Sequence, residues 1–132
     1  MGIQRALGYH PRMSIEPEIK RLHSPDVADL TTYVPEDPTD FGFLLQIIVG
    51  PVGREGEESF DVMVCTARWV GSHLGAERIL MGRHFLFVDD YDYRRLEKFL
   101  REYVAQCSGT TWAEVADRIG RLGKWEFEDY RP

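Results

Sequence analysis

The chain has 132 residues, a net charge of −6, 43% apolar and 12% aromatic residues. This suits one domain with its own core and excludes a chain that stays unfolded for want of apolar surface. The acid excess argues against nucleic acid and anionic membrane as partners, since both are bound through Lys/Arg patches.

Residues 1–12 are slightly basic and lack a clear period, so they read as an N-terminal extension, a tail or an upstream addition to a domain spanning 13–132. They also lack the uninterrupted apolar core of a secretory signal, which makes a cytoplasmic location the expectation. Residues 15–23 alternate loosely, with Ile15, Ile19 and Leu22 against Glu16, Glu18 and Lys20, and predict a first strand. The segment 24–40 carries three prolines and five acids and reads as an ordered loop with at most one helical turn. Residues 41–49 give the clearest strand, with Phe41, Phe43, Leu45, Ile47 and Val49 on one face. A Gly-rich turn over 50–56 leads to a second alternating run, 59–65, so the two predict an antiparallel hairpin. Their apolar run, 44–49, is interrupted by Gln46 and far too short to span a bilayer.

Thr66 can cap a short helix through Trp69 and Val70. Residues 85–88 are apolar without alternation, which suits a strand covered on both faces. The strongest helix runs over 90–107, where Leu96, Phe99, Leu100, Tyr103, Val104 and Cys107 form one stripe. A second helix over 112–122 opens with Thr111-Trp112-Ala113-Glu114, which has capping-box spacing, and Gly123 follows it. The tail from Trp125 to Glu128 alternates briefly and reads as an edge strand or docking segment. Strands first and helices later predict an α+β fold, an antiparallel sheet of about four strands with the C-terminal helices on one face.

Chemistry-bearing patterns are sparse. His10, His23, His73 and His84 share no metal-ligand spacing, and no cofactor motif is present. Counting a calcium loop from Asp90 puts Arg95 where glycine is needed and Arg101 where a bidentate Glu is needed. Asp89, Asp90 and Asp92 instead read as caps for the following helix. Cys65 and Cys107 read as buried thiols, with a bridge between them as the alternative, and neither position suits an activated thiolate. Nothing pairs a nucleophile with a base, so the chain does not read as an enzyme.

What stands out is where the acid lies. Residues 14–66 hold eleven carboxylates against Lys20, Arg21 and Arg54, a local charge of −8, while 67–132 balance. A field of that size attracts a basic partner and speeds its encounter. The candidate contact residues are Asp26, Asp29, Glu36, Asp37 and Asp40 in the loop, and Glu57, Glu58 and Asp61 around the second hairpin strand. Tyr33 is the candidate aromatic anchor.

The strings HSPDV (23–27), PEDPTDFGFLLQIIVGP (35–51), EESFDVMVCT (57–66) with Trp69, and FVDDYDYRRLEKFL (87–100) together resemble the immunity protein 8 family of bacterial polymorphic toxin systems. The resemblance runs from about Ile19 to Trp125. It implies a cytosolic antidote that binds a cognate toxin domain, the partner being a basic protein with nucleases among the candidates. The alternative from another class is a small regulatory or ligand-binding α+β domain in which Trp69, Trp112 and Trp125 line a pocket.

Overall fold

A computed structural model describes residues 14–128. The N-terminal extension expected over 1–12 lies outside the described residues. The elements are β1 (Pro17–His23), β2 (Gly42–Pro51), β3 (Glu58–Cys65), α1 (Ala67–Gly71), β4 (Phe85–Phe87), α2 (Tyr93–Ala105), α3 (Trp112–Ile119) and β5 (Lys124–Trp125).

The expected hairpin is present, with β2 and β3 antiparallel in a register that pairs Phe43 with Val64, Leu45 with Val62 and Ile47 with Phe60. All six side chains are buried, so the alternation read from the sequence is the alternation of core and open face. The antiparallel β1 joins the far edge of β2, and its register shifts between Ile19 and Arg21. On the other side of β3, the sheet divides. β4 pairs with Met63, Val64 and Cys65, and the short β5 pairs with Phe60 and Asp61. Of the tail expected over Trp125 to Glu128 only Trp125 is in β5, and residues 126–128 form a turn.

The α+β class holds, but the sheet is mixed, because β4 runs parallel to β3. A parallel neighbour needs a crossover of a dozen or more residues, and the segment 66–84 is long enough to provide one. β4 also departs from the expected double burial. Leu86 turns toward the core and is half-buried, while Phe87 is 59% exposed.

The C-terminal helices cover one face of the sheet. Leu96, Leu100 and Val104 from α2 and Val115, Ala116 and Ile119 from α3 join the buried strand residues in a single core. Phe99, expected on that stripe, sits on its flank and is 47% exposed. Asp92 alone caps α2, accepting from the Arg95 amide at 3.1 Å. Thr111 caps α3 through the Glu114 amide at 3.2 Å, while Glu114 reaches back to the Thr110 amide at 2.9 Å. Thr66 caps α1 as expected, accepting from the Trp69 amide. Trp69 of α1 lies against the sheet's other face, where a Cβ added at Gly42 would sit 2.5 Å from its indole. Glycine at 42 is what lets that ring lie on the strand.

Candidate functional site

The 24–40 loop is held by its own side chains. The Asp26 carboxylate accepts from the Leu44 amide at 2.8 Å, satisfying a β2 donor near the end of β1. Asp29 accepts from the amide and hydroxyl of Thr31 at 2.9 and 2.6 Å. Asp37 repeats the motif with Thr39, both contacts at 2.8 Å. Val27, Leu30 and Pro35 are buried beneath these turns. Tyr33 packs edge-on against Phe41, Phe43 and Tyr91, with centroids 6.4, 5.6 and 5.0 Å away, and the Tyr91 hydroxyl donates to the Leu30 carbonyl. Tyr33 therefore pins the loop from beneath, and its ring, the candidate aromatic anchor, is half-buried.

The loop so fixed presents acid outward. The Thr31 hydroxyl and then its amide hold the Asp29 carboxyl below its usual range. For Asp37 the Thr39 amide and then its hydroxyl do the same. Both are charged at neutral pH and stay so into the acid range. Glu36 is exposed, Asp40 is half-buried, and Val34 stands 82% exposed between them and Tyr33.

The second set of candidates lies elsewhere. Val49 pairs with Glu58 and Gly42 with Cys65, so seven residues of strand, roughly 24 Å, separate Glu58 from the loop end of the sheet. Glu57 pairs with Arg21 at 3.1 Å. Glu58 accepts from both the Trp112 and the Trp125 indole, each at 2.7 Å, and so ties α3 to β5. Asp61 accepts from the Ser59 hydroxyl at 3.0 Å on the open face of the sheet. The nine candidates do not form one patch: Asp26 to Asp40 gather at one end, Glu57 and Glu58 at the other, and Asp61 between.

The loop end gains acids that sequence reasoning had assigned to capping. Asp89 and Asp90 do not cap α2; both face Arg95, at 3.5 and 2.9 Å. The signal was available, because four acidic or tyrosine positions precede a helix that needs one cap residue. Tyr91 links this run to the loop by its rings and by the Leu30 contact. Burial, with Asp29 a minor contributor, pushes the Tyr91 hydroxyl up to about 12. Asp29, Glu36, Asp37 and Asp40 therefore share one end of the molecule with Asp89, Asp90 and Asp92.

Covalent chemistry finds no support in these side chains. Cys65 is buried and free, and burial pushes its thiol up to about 11, where it is protonated and unreactive at neutral pH. Among the described residues, no three His, Cys, Asp or Glu side chains converge on a metal position. His23 meets Gln46 at 2.9 Å, His73 stacks on Trp69, and His84 meets Glu128 at 3.2 Å. Nor do the tryptophans line one pocket, as the alternative reading expected. Trp69 lies over Gly42, while Trp112 and Trp125 share Glu58 at the opposite end. Among the described residues, no helix is long and apolar enough to cross a membrane.

Comparison with curated proteins and with solved structures gives no match. Comparison with family models does: the immunity protein 8 model matches residues 17–130, which take in every strand and helix described above, and the chain belongs to that family.

Proposed function

We propose that this protein is a cytoplasmic antidote that binds a cognate toxin domain through its acidic loop end and acts by occupancy, without turnover. The observation that carries the proposal is the construction of the 24–40 loop. Two Asp-Thr turns, the Asp26 bond to β2 and the Tyr33 aromatic cluster fix it before any partner arrives. Fixed carboxylates lose little side-chain and loop entropy on binding, so more of the contact energy reaches affinity. Their sign suits a basic partner, and a nuclease domain, whose substrate cleft must attract phosphate, is the class that fits best. The family membership supports a toxin as the partner.

Charge reversal tests which end is used. Glu36→Lys with Asp37→Lys is expected to slow association with the neighbouring-encoded toxin domain by about tenfold at low salt and to flatten its salt dependence. Glu57→Lys at the other end, already paired with Arg21, is expected to change the rate by less than about threefold. Stopped-flow kinetics at several ionic strengths reads both. Equal slowing by the two variants would move the contact away from the loop, and no slowing by either would remove charge from the mechanism.

A further inference from the structure

At the loop end, the sheet and α2 do not close on each other. Between β4 and the first turns of α2 lies an open groove of about 420 Å³. Its floor is apolar, formed by Val64, Leu86, Val88 and Leu96. Phe87 and Phe99 stand at its mouth, 59% and 47% exposed, although the sequence pattern placed each of them in the interior. One phenyl comes from the strand and the other from the helix, so the apolar surface is continuous across two elements. Exposed aromatic pairs flanking a cleft are unusual on a surface that only has to stay soluble.

The rim of the groove is acidic. Asp89, Asp90 and Asp92 have side chains 91%, 54% and 45% exposed, and Arg95 is the one cation among the lining residues. Three carboxylates against one guanidinium leave the rim at −2. The same acids continue, through Tyr91 and Tyr33, into the loop that carries Asp29, Glu36, Asp37 and Asp40. An apolar floor inside an acidic rim selects one kind of occupant, an apolar side chain with basic neighbours. The backbone of β4 adds to the fit. Leu86 faces the β3 backbone, so the amides and carbonyls of Phe85 and Phe87 point away from β3, along an edge that no strand among the described residues pairs with.

We infer that this groove is the anchoring pocket of the toxin interface: it takes a large apolar side chain, flanked by lysine or arginine, from the surface of the basic toxin domain. The inference rests on the proposed antidote function and adds to it. The loop supplies attraction, and the groove supplies the desolvated contact in which binding energy concentrates. Phe87 and Phe99 are the specific anchors, and Asp89 and Asp90 orient the basic flanks.

The test uses the full chain, the toxin domain encoded beside it, and the variant Phe87→Ala/Phe99→Ala. Both rings are about half exposed, so the variant is expected to stay folded, with a melting temperature lowered by no more than about 10 °C. It is expected to bind the toxin domain about thirtyfold more weakly or worse by calorimetry, the loss falling mainly on the dissociation rate. Asp89→Asn/Asp90→Asn is expected to lower the association rate instead. Toxin binding by the parent with unchanged affinity in the phenylalanine variant would overturn the groove while leaving the antidote function standing. No toxin binding by the parent would overturn both. A parent that sediments as a dimer, and becomes monomeric with undiminished toxin binding in the phenylalanine variant, would assign the groove to a second copy and overturn the inference.

Discussion

Replacing Phe43 by alanine is expected to destabilise the protein by about 3–5 kcal/mol. The ring is 2% exposed and sits on the core face of the central hairpin, opposite Val64. It stacks near Phe41 and takes the edges of Tyr33 and Tyr91, so its removal empties a site whose neighbours are themselves fixed. Tyr33 is tied through the loop and Tyr91 through the Leu30 carbonyl, which leaves little freedom to collapse into the gap. A loss of that size is a large part of the 5–15 kcal/mol that holds a typical domain together. Urea denaturation followed by tryptophan fluorescence measures it. Phe99→Ala provides the contrast, because a half-exposed ring is expected to lose about 1 kcal/mol. Similar midpoints for the two variants would mean that the core face of the hairpin has been misassigned.

The second large effect is expected at Glu58. One of its oxygens receives both indole N–H groups, and Trp125 in turn stacks parallel to the buried ring of Phe60, with centroids 6.4 Å apart. Glu58→Ala leaves two half-buried donors without their acceptor and is expected to cost about 2–3 kcal/mol, since bonds to a charged acceptor are worth roughly 1.5–3 kcal/mol each before partial solvation is counted. Glu58→Gln keeps a carbonyl oxygen in the same place and is expected to recover most of that loss. The indole proton resonances of Trp112 and Trp125 should stay downfield in the glutamine variant and move together in the alanine variant. If glutamine is as damaging as alanine, the carboxylate acts through its charge and not as a shared acceptor.

The strands and helices of this fold were legible because their periods are clean. Alternation from Phe41 to Val49 and from Phe60 to Val64 marked the hairpin and the side of it that faces the core, and steps of three and four marked α2 and α3. The direction of β4 was not legible. Three apolar residues carry no period, and whether a strand runs parallel depends on a crossover whose path no local signal reports. Phe87 and Phe99 were misread for a related reason. Phe87 lies on a three-residue edge strand and Phe99 on the flank of α2 that faces the groove beside it, so hydrophobicity there does not mean burial.

The acidic surface was legible only as a sum. Net charge located the excess between residues 14 and 66, but the fold divides it between two ends of the sheet and consumes part of it internally. Asp26 is spent on a strand amide and Glu58 on two indoles, contacts that span eighteen and at least fifty-four residues and leave no trace in local spacing. Asp29 and Asp37 could have been read more fully, since Asp-x-Thr is a local turn signal. Asp89 and Asp90 are left to the acidic surface of the loop end because only one side chain is needed to cap α2.

Co-expression with the proposed partner, a toxin domain expected to be encoded beside this chain, tests the proposed antidote function most directly. Cells producing the toxin domain alone are expected to stop growing, and cells producing both are expected to grow, with the two proteins eluting together from gel filtration at one-to-one stoichiometry. Equal loss of viability with and without this protein, and two separate elution peaks, would contradict neutralisation by binding.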